Sequence, residues 1–224
     1  MVLLTRGKDK ALLERLRALG VEAAEVALLE QVDLPGLMEL PGRLLGADWV
    51  AVTSKEGARR LLWAWERVGK PPLKVAAVGE GTGEVLRQGE LVPAYISPRA
   101  TARDLALGFP QAERVLFVAG DLAGEDLEEG LRARGVEVER LEVYATRERE
   151  LSPKERALLQ GAQVVAFFSP SGVRAYARWT EKRPKAACIG PSTAEEAIRL
   201  GFPVWEAEEP GLEGLFQAIL RALP

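Results

Sequence analysis

The sequence has 224 residues, of which 47% are apolar and 28% charged, and its net charge is −3. That length allows one large domain or two of about 100 residues each, and the small negative charge excludes a general affinity for nucleic acid or anionic membranes. Because the chain has no histidine and a single cysteine, Cys188, it carries no histidine base, Ser–His or Cys–His dyad, histidine metal site or internal disulfide.

Apolar runs bounded by Gly, Pro, Ser or Thr alternate along the chain with stretches of helical spacing. The runs predict β-strands over residues 2–5, 21–29, 49–53, 74–78, 114–118, 136–143, 164–168, 186–189 and 203–206. The helical spacing predicts α-helices over residues 9–19, 37–45, 55–68, 82–88, 101–107, 122–134, 154–160, 172–179, 193–200 and 212–222. Ser152 followed by Pro153 is a typical helix start. The alternation predicts an α/β fold with mainly parallel sheets and right-handed crossovers.

The chain contains the same strand–turn–helix plan twice. Residues 75–82 are echoed by 186–193, residues 50–54 by 165–169, and residues 3–7 with 13–21 by 116–120 with 127–136. Every copy is an apolar run, a turn rich in Gly, Ser or Thr, and a helix-like stretch. The duplication predicts two similar α/β domains whose polar turns face each other across one ligand-binding cleft.

The repeat also predicts where the domains divide. The middle of the chain holds a full set of repeat units, whereas the last part lacks the strand–helix–strand unit that the N-terminal residues supply. We therefore expect a discontinuous domain of residues 1–30 plus 150–224 and a continuous domain of residues 38–142. The chain then crosses twice, over 31–37 and 143–149, and these linker strands are expected to pair as an antiparallel ladder. The alternative is one doubly wound sheet built from all the strands.

Four turns lie where a predicted strand meets the start of a helix, over residues 53–57, 79–83, 169–172 and 190–193. Ligands of open parallel sheets bind beyond the carboxyl ends of the strands, where helix N-termini with free N–H groups favour carboxylates or phosphates. We therefore predict a substrate-binding group of Ser54, Thr82, Ser169, Ser171, Gly190, Ser192 and Thr193. For each Ser or Thr taken alone, the alternative is ordinary helix capping.

Other familiar motifs are incomplete. Gly79-Glu-Gly-Thr-Gly83 lacks the third glycine of a dinucleotide-binding loop, since that position is Glu84. Ser169 has neither a histidine nor a lysine one turn away to activate it. Cys188 lies in an apolar run and is expected to be a small buried hydrophobe. The acidic residues show no metal-ligand spacing, so no metal site is predicted.

Tyr144 ends a predicted strand on the second crossing between the domains. Its phenol is either packed at the domain interface or aimed into the cleft as a hydrogen-bond donor. Basic residues near the predicted turns and crossings could meet an anion or be surface charges. They are Arg6, Lys8, Lys55, Arg99 and Arg147.

An ordered set of motifs over essentially the whole chain resembles the uroporphyrinogen-III synthase family. The motifs are Asp48-Trp-Val-Ala-Val-Thr-Ser54, Ala77-Val-Gly79 with Thr82, Gly135-Val with Val143-Tyr-Ala-Thr146, Phe167-Phe-Ser-Pro-Ser-Gly172, and Ile189-Gly-Pro-Ser-Thr193 with Gly201. Their order along the chain carries the resemblance.

The resemblance implies two α/β domains joined by a two-stranded ladder, with the active site between them. It implies a cyclising lyase that closes the linear tetrapyrrole hydroxymethylbilane to uroporphyrinogen III, with loss of water and inversion of the last ring, ring D. It implies no metal and no organic cofactor. It gives Tyr144 the catalytic role and extends substrate binding to Thr82, Ser169, Ser171, Gly190 and Thr193.

The competing function class is a non-catalytic, two-lobed small-molecule sensor or binding protein. A nucleotide-dependent transferase is disfavoured because the chain has no phosphate-loop motif. The N-terminal apolar stretch is too short for a signal peptide, and no run approaches about 18 apolar residues. We therefore expect a cytoplasmic monomer with no nucleic-acid or membrane partner. The absence of asparagine is typical of proteins from thermophiles.

Overall fold

A computed structural model of the protein describes residues 1–7 and 9–224, so Lys8 lies outside the described residues. The strands are β1 Val2–Leu4, β2 Ala23–Glu25, β3 Leu29–Asp33, β4 Trp49–Val52, β5 Val75–Val78, β6 Tyr95–Ser97, β7 Arg114–Gly120, β8 Glu137–Glu148, β9 Val164–Phe167, β10 Lys185–Cys188 and β11 Val204–Glu206. The helices are α1 Lys10–Ala18, α2 Gly36–Leu44, α3 Lys55–Arg67, α4 Gly79–Gln88, α5 Ala102–Gly108, α6 Asp126–Arg132, α7 Pro153–Gly161, α8 Pro170–Trp179, α9 Pro191–Arg199 and α10 Leu212–Ala222.

The chain divides into two compact units. Unit 1 comprises Met1–Glu30 and Arg147–Pro224, and unit 2 comprises Gln31–Thr146. Each unit has its own sheet, so the alternative of one continuous doubly wound sheet is wrong. The predicted fold class, two mainly parallel α/β sheets, is confirmed.

The sheet of unit 1 has the strand order β11-β10-β9-β1-β2, and its paired strands run parallel. Both faces of this sheet are covered, because successive residues of β9 enter different cores. Val165 and Phe167 pack into one apolar cluster. Val164 and Ala166 pack into a second cluster with helix α10. The near-continuous apolar strands of the sequence follow from this two-sided burial.

The sheet of unit 2 has the order β3-β8-β7-β4-β5-β6. Strands β7, β4, β5 and β6 are parallel to their neighbours, and β8 runs parallel to β7. Residues of β4 again alternate, with Val50 and Val52 in one cluster and Trp49 and Ala51 in the other. Since β4 and β9 occupy the same place in the two sheets, the duplicated sequence produces a duplicated topology.

The strand predicted over 136–143 and the linker strand predicted over 143–149 form one strand, β8, which continues to Glu148 without a break. Its partner β3 covers Leu29–Asp33, and Gly36 already begins α2. The Leu34 N–H donates to the Val143 carbonyl at 3.0 Å, and the Arg149 N–H donates to the Leu28 carbonyl at 2.9 Å. Because the partner number falls as the residue number rises, β3 and β8 run antiparallel.

Other elements also differ from the sequence predictions. The strand predicted over residues 21–29 is confined to Ala23–Glu25, as β2. Strand β6, at Tyr95–Ser97, was not predicted. Helix α4 begins at Gly79, three residues before the predicted start at Thr82, and Gly79 has a φ of +66°, which glycine adopts readily. Helix α6 starts at Asp126 rather than at Leu122, whose side chain is exposed and adds nothing to the core. Among the described residues, no helix combines the length and the apolar character needed to cross a membrane.

Helix α7 begins as the sequence predicts, with Ser152 as N-cap and Pro153 in the first turn. The Glu155 carboxylate accepts from the Ser152 N–H at 2.9 Å and the Ser152 hydroxyl at 2.8 Å, and it pairs with Arg149. The backbone hydrogen bond from Ser152, followed by the Arg149 hydrogen bond, lowers the pKa of Glu155 from 4.5 to about 2. A charged Glu155 therefore stabilises the folded chain.

Acidification should remove this contribution. Since the pKa is depressed on folding, the stabilisation is present above about pH 4.5 and is lost as the pH falls towards about 2. We expect Glu155→Gln to lower the free energy of unfolding at pH 7 by about 1 kcal/mol or less, because the group is near the surface. It should also flatten the loss of stability below about pH 4.5.

Urea unfolding at pH 7 and at pH 3 measures both effects. Glu150→Gln is the control, since Glu150 is an exposed carboxylate close by in the sequence. The control should keep the pH dependence of the parent chain. If Glu155→Gln and the parent lose stability equally on acidification, the charge of Glu155 does not account for the pH dependence of stability.

Candidate functional site

The candidate site in unit 2 lies at the carboxyl-end edge of its sheet, where β4 leads into α3. Ser54 is the N-cap of α3, and its Oγ accepts a hydrogen bond from the Gly57 N–H at 2.9 Å. A Cβ at position 57 would lie 3.2 Å from the Val118 carbonyl oxygen, so glycine allows the helix to approach the neighbouring strand β7. The Ser54 hydroxyl is thereby held over the end of the sheet.

Tyr144 reaches this same point from β8. Its hydroxyl lies 2.9 Å from Ser54 Oγ, so the structure brings two of the predicted site residues into direct contact. Gly120, the last residue of β7, pairs with Tyr144 in the sheet. A Cβ at Gly120 would lie 2.5 Å from Tyr144 Cζ and 2.8 Å from its hydroxyl oxygen. The phenol therefore passes across the end of β7 through the space that glycine leaves.

An arginine that the sequence reading did not single out also contacts Tyr144. The Arg60 guanidinium carbon lies 4.7 Å from the centroid of the Tyr144 ring. Arg60 forms an ion pair of 2.7 Å with Asp33 and one of 3.2 Å with Glu56. Arg60 belongs to no recognisable motif, and Gly120 only ends the repeated segment 116–120, so the fold alone relates them to Tyr144.

Thr82 lies in the first turn of α4, next to the α3 turn. Its residue is 5% exposed, and within the described part of the chain its hydroxyl has no hydrogen-bond partner. The Lys55 side chain crosses the same turn, because a Cβ at Gly81 would lie 3.1 Å from Lys55 Cε. The start of α4 thus combines a helix N-terminus, a hydroxyl and a nearby ammonium group, which together suit an anion.

Unit 1 repeats this arrangement with different side chains. Ser169 caps α8 and accepts from the Gly172 N–H at 3.2 Å. The Ser169 and Ser171 hydroxyl oxygens lie 3.0 Å apart, so these two predicted residues also meet. The capping function that was the alternative for Ser54 and Ser169 is therefore present, and in each case a second hydroxyl contact accompanies it.

The remaining predicted residues of unit 1 share the start of α9. Gly190 is the N-cap, Ser192 is exposed and Thr193 is 2% exposed. In the ranges that the structure describes, the Thr193 hydroxyl has no hydrogen-bond partner, as is true of Thr82. No hydrogen bond between described residues joins this turn to Ser169 or Ser171.

The basic residues named from the sequence take different positions. Arg6 stacks on Phe168, with its guanidinium carbon 4.3 Å from the ring centroid, and pairs with Asp9 at 2.7 Å. The Arg99 side chain is 80% exposed. Arg147 is exposed on β8, and Lys8 lies outside the described residues. Of this set, Lys55 has the clearest relation to a predicted turn.

No strong nucleophile among the described residues accompanies these groups. Cys188 is fully buried, and burial raises the pKa of its thiol to about 12, which keeps it protonated. Among residues 1–7 and 9–224, no group of three or more Cys, Asp or Glu side chains is placed to hold a metal ion. What the turns offer is a phenol, several hydroxyls, an ammonium group and backbone N–H donors.

Two cavities lie elsewhere. One of about 220 Å³ is lined by Arg43, Arg114 and Glu137 among others. The other, of about 520 Å³, lies near Trp179 and Thr180. Neither cavity is lined by a predicted site residue, so the candidate site is assigned to the turns at the helix N-termini and not to these cavities.

Comparison with known proteins gives consistent matches. A sequence model of the family described as "Uroporphyrinogen-III synthase HemD" matches residues 10–217. The chain is 32% identical over 236 residues to a protein of Oryza sativa subsp. japonica named "Uroporphyrinogen-III synthase, chloroplastic". That match covers 97% of this chain and 78% of the rice protein.

Two solved structures resemble the fold. The uroporphyrinogen-III synthetase of Helicobacter pylori 26695 matches with a TM-score of 0.75 and 18% identity, covering 99% of each chain. A mutant uroporphyrinogen III synthase of the extremely thermophilic bacterium Thermus thermophilus matches with a TM-score of 0.68 and 21% identity, covering 99% of this chain and 97% of the other. At these identities the likeness concerns the fold.

Proposed function

This chain belongs to the uroporphyrinogen-III synthase family, and on that premise we propose that it closes hydroxymethylbilane to uroporphyrinogen III with Tyr144 as its catalytic residue. It is an enzyme of the cyclising lyase type. The residue assignments rest on the turns at the carboxyl ends of the two sheets, and the observation that carries them is the contact of Tyr144 with Ser54.

The reaction sets a problem of geometry. Loss of the hydroxymethyl oxygen as water leaves an azafulvene cation, which the lone pair of the pyrrole nitrogen stabilises. Spontaneous closure uses the free end of ring D and gives isomer I. For isomer III, the substituted carbon of ring D attacks first, and the resulting spiro intermediate fragments and recloses with that ring inverted. The enzyme must therefore favour one conformation of the flexible linear tetrapyrrole over another.

Binding of the substrate carboxylates imposes that conformation on the tetrapyrrole. The N-termini of α3, α4, α8 and α9 present backbone N–H groups and the positive ends of their dipoles. Hydroxyls and a glycine at these turns add donors or allow close approach, and the substrate-binding set is Ser54, Thr82, Ser169, Ser171, Gly190, Ser192 and Thr193. Correct positioning can lower a barrier by about 7–11 kcal/mol in well-oriented systems.

Tyr144 acts on the departing hydroxyl. Ser54 Oγ accepts from the Gly57 N–H, and when it donates its own proton to the Tyr144 oxygen, the phenolic O–H is free to donate to substrate. Each hydrogen bond of this short chain polarises the next, starting from the positive end of α3. The departing oxygen takes up the phenolic proton and leaves as water, and the proton that ring D releases when the macrocycle closes returns to the phenolate.

A Ser54 series separates this relay from simple capping. We expect Ser54→Ala to lose about 1 kcal/mol of stability as a lost cap, and to lower kcat by about 3- to 10-fold, as expected for one hydrogen bond. Ser54→Thr keeps the hydroxyl and should keep most of the activity. Thermal melting and steady-state kinetics measure the two effects.

Ser152→Ala is the matched control, because Ser152 is also a helix N-cap and precedes α7, outside the proposed site. It should cost a comparable amount of stability with full activity. If Ser54→Ala and Ser152→Ala were equally active, Ser54 would be a cap and nothing more.

The proposed function itself is tested by the identity of the product. The purified chain is incubated with hydroxymethylbilane, and the oxidised porphyrins are separated by chromatography. Isomer III above the level of a protein-free control supports the proposal. Isomer I alone, at the rate of spontaneous closure, would overturn it.

Other expectations remain predictions. The comparisons give no support to the alternative of a non-catalytic sensor, and the isomer assay decides between the two classes. A cytoplasmic location and a monomeric state are untested, and the rice relative is itself named as chloroplastic. Cell fractionation and light scattering would test them.

A further inference from the structure

We infer that Arg60 is a positioning residue for Tyr144, an inference that rests on the proposed catalytic role of that tyrosine. The Arg60 guanidinium lies over the Tyr144 ring with its carbon 4.7 Å from the ring centroid. Both residues belong to unit 2, and the contact joins helix α3 to strand β8. Arg60 thus fixes the ring from the face, while Gly120 lies against the hydroxyl end.

The guanidinium is itself held in place. Its Nε lies 2.9 Å and its Nη2 2.7 Å from Asp33 Oδ1. Its Nη1 donates to the Glu56 carbonyl at 3.3 Å and to the Glu56 carboxylate at 3.2 Å. The Arg60 side chain is only 13% exposed. Because the hydrogen bonds to Asp33 and Glu56 already restrict its rotamers, the planar guanidinium provides a rigid surface for the ring.

These same contacts argue against direct substrate binding by Arg60. Nε, Nη1 and Nη2 all have carboxylate or carbonyl partners. An incoming substrate carboxylate would compete with Asp33 and Glu56, which carry the same charge. Arg60 is therefore expected to act through Tyr144 and not on the substrate.

The repeat shows that helix packing alone does not require an arginine here. Arg60 stands six residues after the N-cap Ser54, and six residues after the N-cap Ser169 of the sister helix stands Ala175, which is fully buried. A small apolar residue satisfies that position in α8. The arginine occurs only in the copy of the helix whose unit also contains Tyr144, as expected if Arg60 positions the Tyr144 ring.

The test uses Arg60→Met, Arg60→Lys, Tyr144→Phe and the double variant Arg60→Met/Tyr144→Phe, assayed with hydroxymethylbilane. We expect Arg60→Met to lower kcat roughly 3- to 30-fold, the range of a partly buried cation–π contact, with KM within about 2-fold. Arg60→Lys retains a cation and should recover part of that loss. In the Tyr144→Phe background, Arg60→Met should change kcat by less than about 2-fold.

Arg67→Met is the matched control, because Arg67 lies on the same helix and stacks on Trp63 with its guanidinium carbon 4.0 Å from the ring. It should retain the parent kcat and KM. Melting curves of all variants show whether the chain still folds. If Arg60→Met does not fold, Arg60→Lys still tests the inference.

The outcomes separate the two proposals. An unchanged kcat in Tyr144→Phe would remove the phenol from the chemistry and would end the proposed role of Tyr144. A large loss in Tyr144→Phe with full activity in Arg60→Met would leave that role intact and overturn the inference about Arg60. An equal loss from Arg60→Met in both backgrounds would also overturn it, because Arg60 would then act independently of the ring.

Discussion

Replacement of Tyr144 by phenylalanine is expected to lower kcat by about 10²- to 10⁴-fold, the usual contribution of a positioned proton donor. The ring and its packing against Gly120 and Arg60 remain, so the change removes only the hydroxyl. KM should move little, because the carboxylate binding that we propose at the helix N-termini does not involve the phenol. The residual product should still be enriched in isomer III, since folding of the substrate would persist.

Tyr176→Phe is the control for this result. The Tyr176 hydroxyl donates to the Leu159 carbonyl at 2.9 Å, and burial raises its pKa to about 12. Its removal should cost about 1 kcal/mol of stability with no loss of kcat. Steady-state kinetics over the same range of substrate concentrations compare kcat and KM of the two variants. Parent-like turnover in Tyr144→Phe would mean that the departing hydroxyl takes its proton from solvent or from another group.

Much of the fold follows from periodicity and repetition in the sequence. Strands such as β4 and β9 are short apolar runs buried on both faces, and Gly, Ser or Thr follows each of them. Because these signals are local, the strand and helix types were predictable. The duplication supplied the non-local part, namely that a second sheet repeats the first.

Strand β6 shows where local patterns were insufficient. Tyr95–Ser97 is only three residues long and stands between Pro93 and Pro98, which favours a loop in any local reading. Its counterpart β11 was predicted, and the two strands occupy the same edge beside β5 and β10. Extending the repeat by one more strand would have found β6. Strand β8 was predicted as two segments, a strand over 136–143 and a linker strand over 143–149, because its charged end is stabilised by pairing and not by burial.

The candidate site was predictable in its parts but not in its contacts. Ser54 and Tyr144 are each recognisable beside a strand end, yet they are 90 residues apart, and only the register of β7 with β8 brings them within 2.9 Å. Arg60 lies inside a helix where any long polar residue would look like a solvated charge. Its function depends on what the helix faces, which a single sequence does not show.

Gly120→Ala is expected to lower kcat by about 10²-fold while the fold survives. The added Cβ would lie 2.5 Å from Tyr144 Cζ and 2.9 Å from Cε2, closer than van der Waals contact allows. The clash is with the far end of a side chain and not with backbone, so the ring moves and the sheet stays. Displacement of a catalytic group by about 1 Å can cost about 10²-fold in rate.

Gly124→Ala is the control for this substitution, because a Cβ at position 124 would meet no atom within 4 Å. Melting temperatures should change little in Gly124→Ala and by a few degrees in Gly120→Ala, as expected for about 1 kcal/mol. Combined with Tyr144→Phe, Gly120→Ala should have almost no further effect on kcat, because the hydroxyl that it displaces is already gone. Full activity of Gly120→Ala would mean that the phenol works from a position other than the one that it holds across the end of β7.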